Sequence, residues 1–217
     1  MARLALIAGS SLRGAGVPDG DWEVFQRHGE ATAYVLPHRI DHVANLRALA
    51  DAGCDRVLAI ASVGGLRAEL GPGTMVVPDD FVALDAEPLS GVEGERAHRA
   101  VGFDPPWRER VLDALAAAGT QARDGGVYWQ ATGPRFETPA EVRLIAAHAD
   151  VVGMTIGSEC VAACELGLAY AALCIVDNLA NGISGEEISL DRVERNRAAN
   201  RETLQRTLAA LLPALAG

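Results

Sequence analysis

The sequence has no excess of basic residues: 19 arginines and lysines stand against 29 aspartates and glutamates, a formal net charge of -10. Because a protein that binds a nucleic-acid backbone needs a basic face, this balance excludes a general nucleic-acid surface. One small anionic substrate is still allowed, since a local pocket of arginine and histidine is screened from carboxylates more than roughly 8–10 Å away. We therefore expect small-molecule ligands, with no nucleic acid among the partners.

Long apolar runs and a disulfide pattern are also missing. No apolar stretch approaches the ~20 residues that cross a bilayer. The four cysteines, Cys54, Cys160, Cys164 and Cys174, stand in apolar or helical surroundings without the spacing of a secreted framework. The opening MARLALIAGSS carries one basic residue and is interpreted as a buried strand rather than a signal peptide. These features predict a soluble protein with reduced thiols, located in the cytoplasm and making no membrane contact.

The chain shows no internal repeat, low-complexity tract or linker. Its 217 residues fit one domain, residues 1–217, which is long enough for a substantial core. With 49% hydrophobic and 22% charged residues, the composition is typical of globular proteins. We predict a single globular domain.

The second half of the chain carries the clearest pattern. Three apolar runs, residues 127–131, 151–154 and 168–176, alternate with two segments of helical pattern. The first helix begins with the capping box of Thr138 and Glu141. Strand, helix, strand, helix, strand predicts an α/β fold with parallel strands joined by crossover helices.

Ligands in such sheets bind beyond the carboxyl ends of the strands. Polar and aromatic side chains that follow these three runs therefore form one candidate site. They are Arg135, Phe136, Thr155, Glu159, Asp177 and Asn178.

Two further apolar runs end in small-residue turns. Residues 4–8 lead into Gly9-Ser10-Ser11, and residues 57–61 lead into the glycine-bearing segment 62–66. We expect the two turns to lie side by side and to present backbone N–H groups to an anion, although a plain turn gives the same pattern. A third run, residues 22–26, ends in Arg27 and His28, which suit a phosphate or form a solvated loop pair.

Other features predict packing. His38 and His42 have metal-ligand spacing, but the sequence offers no partner set that completes a site, so we favour structural roles. Helices are expected at residues 43–52 and 106–118, and Ser189 is expected to cap a long final helix that serves packing only. No arrangement of Ser-His-Asp or Cys-His type is recognisable, so no covalent nucleophile is expected.

The segment GPRFETPAE, residues 133–141, followed by residues 152–155 and Glu159, resembles the trimeric purine nucleoside phosphorylase and methylthioadenosine/methylthioinosine phosphorylase family. The likeness runs in the family's order from about residue 4 to about residue 183. The resemblance implies a three-layer fold with a central mixed, twisted sheet flanked by helices. It also implies a homotrimer with sites near subunit boundaries. The other matching segments are Gly9-Ser10, Arg27-His28-Gly29 and residues 37–45, 62–66 and 72–73.

The resemblance assigns a role to each matching residue. Phosphate would be held by Ser10, Arg27, His28, Ala61, Ser62 and Thr155. Met154 would lie against the ribose, Phe136 would stack on the purine, and Asp177, Asn178 and Ala180 would read the base edge. His98 of a neighbouring subunit would lie beside the 5′ group. The remaining nucleoside-binding positions are Val63, Gly64, Gly153 and Glu159, and the catalytic set is Asn178, Asp177 and His28.

The implied reaction is phosphorolysis of a purine nucleoside, a step of purine salvage. Cleavage of the N-glycosidic bond builds positive charge on the ribose, and a phosphate fixed below C1′ stabilises that charge and then captures the sugar. The departing purine gains negative charge at N7, where Asn178 can donate a hydrogen bond. The resemblance implies no metal and no cofactor, with inorganic phosphate as co-substrate.

Two departures from the family keep alternatives open. Ala61 stands where many members have threonine, and Asp177-Asn178 replaces a Thr-Asn or Thr-Asp pair. The asparagine at position 178 resembles the base-binding residue of the 6-oxopurine enzymes. Asp177 is either a protonated donor to the base or an acceptor that orients Asn178. The 5′ group is hydroxyl or methylthio. Two other functions remain: a nucleoside hydrolase on the same scaffold, and a nucleoside-binding protein without catalysis.

Overall fold

The computed structural model describes residues 3–12, 16–26, 40–84, 98, 100–185 and 188–217. In chain order the elements are β1 (Leu4–Ala8), a 3-10 turn (Ser10–Leu12), β2 (Trp22–Gln26), α1 (His42–Asp51), β3 (Arg56–Gly65), β4 (Met75–Val77), β5 (Asp80–Val82), α2 (Pro105–Ala117), β6 (Arg123–Asp124), β7 (Val127–Gln130), α3 (Pro139–Ile145), β8 (Val151–Gly153), α4 (Ile156–Leu166), β9 (Ala169–Leu179) and α5 (Leu190–Ala216).

In the described part of the chain, nine strands form one mixed sheet. Its centre is the parallel pair β3 and β9. Their pairing begins where Arg56 lies opposite Ala169 and ends where Gly65 lies opposite Leu179. The other edge of β3 is shared: β1 runs parallel to its first residues, and β8 runs antiparallel to its last two. The predicted central mixed sheet with flanking helices is confirmed.

The prediction of parallel crossovers is right for one helix and wrong for the other. Strands β7 and β8 are parallel neighbours joined by α3, with Tyr128 opposite Val151. Strands β8 and β9 are not neighbours, because β3 lies between them and β8 runs antiparallel to it. The sequence pattern gives the order of elements along the chain but not which strands pair. Strands β3 and β9 pair along their whole length. On the other edge of β3, β1 pairs with the first residues, so only the end of that edge is left for the three-residue β8.

The predicted turn at residues 62–66 is instead the end of β3, which continues to Gly65. A Cβ on Gly64 would lie 3.2 Å from Cγ1 of Val152, so glycine lets β8 approach closely on this side. The register between β3 and β9 shifts by one residue at this point, because Val63 lies opposite Val176 and Gly64 lies opposite Asn178. Asp177 is therefore the extra residue of a β-bulge, and such bulges redirect side chains next to functional sites.

Helices cover both faces of the sheet. On one face α1 and α4 pack over a buried cluster that includes Cys54, Cys160 and Cys174, and the half-buried Cys164 packs against it. On the other face α2 and α5 pack over a second cluster, which includes Trp107 and Leu208. Helices α1 and α2 lie within one residue of their expected bounds. No described helix combines the length and the apolar character needed to cross a membrane.

Candidate active site

A cavity lies at the carboxyl ends of the central strands β1, β3 and β9. Eleven residues predicted for the site line it: Ser10, Ala61, Ser62, Val63, Gly64, Phe136, Gly153, Met154, Thr155, Asn178 and Ala180. Five further residues complete the lining: Glu137, Val152, Ile188, Val193 and Arg197. Strand ends and loops far apart in sequence thus meet at one site, as the candidate site at the strand ends predicts.

Ser10 reaches the cavity because β1 and β3 are parallel neighbours and their carboxyl ends coincide. A tight turn follows β1, closed by the Leu12 N–H donating to the Gly9 carbonyl oxygen at 3.0 Å. Ser11 and Leu12 are buried beneath it, while Ser10 is half-buried and lines the cavity. The two segments expected side by side, Ser10 and the end of β3, do lie together.

Thr155 begins α4 without using its hydroxyl as a cap. The first N–H groups of a helix need acceptors, and here β7 supplies them. The Tyr128 hydroxyl oxygen accepts from the N–H of Thr155 at 3.1 Å and of Ile156 at 3.4 Å, and Gln130 Oε1 accepts from the Ser158 N–H at 2.9 Å. Thr155 lines the cavity, so its hydroxyl is available to a ligand there.

Asn178 sits at the end of β9 with only 9% of its surface exposed. Its Nδ2 donates one hydrogen bond to the Leu179 carbonyl oxygen at 2.9 Å. An amide has two N–H donors and one oxygen acceptor. A second donor and an acceptor are thus available toward the cavity that Asn178 lines.

The loop before α3 brings Phe136 and Glu137 to the cavity. Its end is fixed by the predicted capping box: the Glu141 N–H donates to Thr138 Oγ1 at 3.2 Å, and the Thr138 N–H donates to Glu141 Oε2 at 2.8 Å. Arg135 adds two hydrogen bonds of 2.7 Å to the same carboxylate. Arg135, placed at the site by its position after β7, instead lies exposed on the outer side of the loop.

Sequence reasoning missed Glu137, although it stands beside Phe136 inside the motif GPRFETPAE. Burial raises the pKa of its carboxyl above the ordinary value, and hydrogen bonding to backbone N–H acts in the opposite direction. A half-buried carboxyl beside an aromatic ring at a ligand cavity is suited to recognising a polar ligand edge. The signal available in the sequence was its adjacency to Phe136.

Asp177, predicted to act at the base edge, lies behind the cavity wall and is fully buried. Its carboxylate accepts a short hydrogen bond from the Ser62 hydroxyl, one of 3.3 Å from Arg197 Nε and one of 3.1 Å from Asn200 Nδ2. It is an acceptor, but it orients these three groups and not Asn178. The bulge explains the difference, because it turns Asp177 toward α5 while Asn178 faces the cavity.

Arg197 and Val193 contradict the expectation that the final helix serves packing only, because both line the cavity. Ser189 caps α5 as predicted, accepting from the Arg192 N–H at 3.3 Å. The apolar stripe of the helix packs on the sheet, and the same face carries these two residues to the strand ends.

Glu159 was predicted to bind the nucleoside, but it points into the core and does not line the cavity. Only 2% of its surface is exposed, and the Tyr170 hydroxyl donates to its Oε2 at 2.7 Å. His42 Nδ1 lies 3.6 Å from Oε1. Glu159 is one turn beyond Thr155 on α4, and its partners Tyr170 of β9 and His42 of α1 show that it faces the core and α1.

The last three residues predicted for the site are His98, Arg27 and His28. His98 is exposed. Arg27 and His28 lie outside the described residues, directly after β2, whose last residue Gln26 is opposite Ala8 at the carboxyl end of β1. Within the described ranges, no group of three or more His, Cys, Asp or Glu side chains is placed to hold a metal ion.

Comparison with protein families gives a match to the phosphorylase superfamily over residues 20–213. The chain belongs to this superfamily. A probable 6-oxopurine nucleoside phosphorylase of Archaeoglobus fulgidus is 40% identical over 190 residues, which are 85% of this chain and 76% of that relative. A 6-oxopurine nucleoside phosphorylase of Pyrococcus furiosus is 33% identical over 208 residues, 89% of this chain and 78% of the relative.

A probable S-methyl-5′-thioinosine phosphorylase of Methanothermobacter thermautotrophicus is 36% identical over 181 residues, 78% of this chain and 64% of the relative. Among solved structures, methylthioadenosine phosphorylase from Schistosoma mansoni in complex with adenine matches with a TM-score of 0.82 at 23% identity, over 99% of this chain and 92% of that one. The structural match confirms the predicted nucleoside phosphorylase-like fold.

Proposed function

We propose that this chain catalyses the phosphorolysis of a 6-oxopurine nucleoside, with a 5′-hydroxyl or 5′-methylthio ribose, to the free purine and the corresponding ribose 1-phosphate. The observation that carries the proposal is one cavity lined by the hydroxyl-bearing Ser10 and Thr155, by Met154, and by Phe136 and Asn178. The named activities of the relatives of Archaeoglobus fulgidus and Methanothermobacter thermautotrophicus support it.

The phosphate end of the reaction needs an anion held below C1′ of the ribose. As the bond from C1′ to N9 of the purine breaks, positive charge develops on the sugar ring, and a phosphate oxygen then forms the new bond to C1′. Ser10 and Thr155 offer hydroxyl donors from two different elements. Fixing both reactants in one cavity removes much of the entropic barrier.

The purine end needs stacking, a donor at N7 and a means of reading the six-membered ring. Phe136 supplies an aromatic face, and Asn178 supplies an N–H donor where negative charge develops on the leaving base. A 6-oxopurine carries a proton on N1, whereas adenine does not. Glu137, when ionised, accepts from that N1–H, and this favours inosine-type over adenosine-type substrates.

One feature of the cavity favours the two rival functions, a nucleoside hydrolase and a nucleoside-binding protein without catalysis. Ala61 has no side-chain donor, and the single hydroxyl proton of Ser62 is donated to Asp177, so the end of β3 provides a weaker anion site than a threonine would. That observation is the one that favours a hydrolase or a binding protein without catalysis.

The deciding experiment is to incubate the protein with inosine, guanosine, adenosine or methylthioinosine, with and without phosphate, and to measure free base and ribose 1-phosphate. Phosphorolysis requires phosphate for turnover and gives equal amounts of the two products. Full-rate release of base in phosphate-free buffer identifies a hydrolase instead. Binding of nucleoside without release of base in either buffer identifies a protein without catalysis.

We also propose a homotrimer in the cytoplasm that needs no metal or cofactor and serves purine salvage, in which His98 of one chain reaches the 5′ group of a neighbour. The exposed position of His98 supports this assignment. Light scattering distinguishes a trimer from a single chain of 22.7 kDa. Unchanged turnover after dialysis against EDTA supports the absence of a metal requirement, and loss that Mg²⁺ or Zn²⁺ restores contradicts it.

A further inference from the structure

We propose that Arg197, carried to the cavity by the last helix, binds the phosphate co-substrate directly and holds Ser62 and Asp177 in place beneath it. This inference rests on the proposed phosphorolysis and adds a residue to the anion site. Nothing in the sequence pattern points to it, because Arg197 lies 135 residues from Ser62 in the chain.

Charge is the first argument. Arg197 is the only arginine or lysine among the described residues that line the cavity. Phosphate at neutral pH carries one to two negative charges, and the protein has a net charge of -10. An anion of this kind needs a cation close by, and a guanidinium suits phosphate because its N–H groups form a planar fork. Arg197 is 8% exposed and therefore little screened by solvent.

The hydrogen bonds of Arg197 place its guanidinium at the phosphate end. Its Nη2 donates to Ser62 Oγ at 3.3 Å, its Nε donates to Asp177 Oδ2 at 3.3 Å, and its Nη1 donates to Glu194 Oε1 at 2.7 Å. These bonds use three of the five N–H donors of a guanidinium. For the other two the described residues provide no hydrogen-bond partner, and Ser62 and Arg197 line the same cavity.

Ser62 shows why a further donor is needed. Its hydroxyl donates to Asp177 and accepts from Arg197. A hydroxyl has one proton, so Ser62 has none left for phosphate. The preceding Ala61 has no side-chain donor. The end of β3 thus contributes no side-chain hydrogen bond to an anion, and the guanidinium beside it is placed to do so.

The two carboxylates around Arg197 do not remove its capacity to bind an anion. Asp177 is fully buried and fixes the plane of the guanidinium, so the remaining N–H groups keep one direction. The side chain of Glu194 is 41% exposed, and water screens its charge. An arginine already ordered by its neighbours loses less conformational entropy when it binds phosphate.

The test compares Arg197→Gln with Arg195→Gln, since Arg195 is an exposed arginine two positions earlier on the same helix. We expect Arg197→Gln to raise the KM for phosphate about 10- to 100-fold, the usual effect of losing a charged hydrogen bond, with little change in the KM for nucleoside. Arg195→Gln should leave both constants unchanged. A wild-type enzyme that depends on phosphate, combined with an unchanged phosphate KM in Arg197→Gln, overturns the inference. A wild-type protein without phosphate dependence overturns the proposed function instead.

A double variant separates binding from mere neutralisation of Asp177. Asp177→Asn combined with Arg197→Gln removes both buried charges at once, so it should unfold at a higher temperature than Arg197→Gln alone. If Arg197 binds phosphate, the double variant keeps the raised phosphate KM. Recovery of the wild-type phosphate KM would show that Arg197 only neutralises Asp177, which contradicts the proposal. This variant also serves if Arg197→Gln alone does not fold.

Discussion

Two elements that line the cavity are each held by an arginine paired with a carboxylate, but in very different surroundings. We call helix α5 with the end of β9 the back wall, and the loop of Phe136 and Glu137 the front wall. At the back, Arg197 meets Asp177, and both side chains are at least nine-tenths buried. At the front, Arg135 meets Glu141, and these side chains are 65% and 42% exposed. The back pair joins α5 to the central strand β9, whereas the front pair spans only six residues of chain.

Burial decides what each pair does. Removing one member of a buried pair leaves an uncompensated charge in a medium that solvates it poorly, so the back wall resists substitution. An exposed pair is screened by water and adds little to folding. The front pair is better understood as a local brace that keeps the loop with Phe136 and Glu137 against the cavity. The fold therefore depends more on the back wall than on the front. In our proposals the front wall recognises the purine, and Arg197 of the back wall binds phosphate.

Asp177→Ala should show the largest effect on stability. We expect a loss of about 3–5 kcal/mol in the free energy of unfolding, because Arg197 remains buried without its partner. Urea denaturation measures it, with Asp113→Ala on the exposed side of α2 as the matched control. Equal stability of the two variants would show that the back wall is no more important to the fold than the surface.

Asn178→Ala should give the largest effect on chemistry. Asn178 lines the cavity, and its loss removes the donor that we propose for N7 of the leaving purine. We expect kcat to fall about 100- to 1,000-fold, as for other donors to a developing negative charge. Steady-state kinetics with inosine at saturating phosphate measure this. The phosphate KM serves as the internal control, and a change confined to it would place Asn178 at the wrong end of the cavity.

Glu137→Gln probes the front wall and its pH dependence. We expect kcat/KM for inosine to fall about 10- to 100-fold and the preference over adenosine to shrink, because the charged acceptor for N1–H is lost. Burial raises the pKa of Glu137 above 4.5. Since the ionised form is the acceptor, wild-type kcat/KM should fall as pH decreases through this raised pKa. The decline should be absent from the Gln variant, and its persistence there would assign it to another group.

The front wall was largely predictable from sequence because its interactions are local. The capping box of Thr138 and Glu141 lies within four consecutive residues, and their side chains interact as the pattern indicates. The strand ends that carry Ser10, Thr155 and Asn178 were also recognisable, since apolar runs followed by small or polar residues mark such ends. Local chemistry and the resemblance together named eleven of the residues that line the cavity.

The back wall was not predictable, because its contacts join residues far apart in sequence. Ser62 and Asp177 are separated by 115 positions, and Arg197 stands in a helix whose pattern indicates packing. The direction of Asp177 depends on a bulge that arises from the register between β3 and β9. Likewise, Glu159 appeared to follow a strand end, yet its place on the first turn of α4 directs it into the core. Register and helix rotation are set by packing, which a sequence read along the chain does not show.

The smallest expected effects come from the front brace. Thr138→Ala should cost about 1 kcal/mol of unfolding free energy, the usual loss of an N-cap. Glu141→Gln should cost less, because glutamine still completes a capping box. In the wild type, hydrogen bonds from Arg135 and from the Thr138 N–H lower the pKa of Glu141 from 4.5 to about 2.

Because the pKa of Glu141 is lowered in the folded protein, the stabilising effect of this brace decreases at acid pH. Its stabilising effect is complete above pH 4.5 and is lost as pH falls toward about 2, since protonation neutralises the carboxylate. The difference in thermal midpoint between wild type and Glu141→Gln should therefore shrink between these pH values. A difference that stays constant from pH 7 to about pH 2 would mean that Arg135 and Glu141 contribute no charge interaction. The front wall would then differ from the back in having no functional ion pair at all.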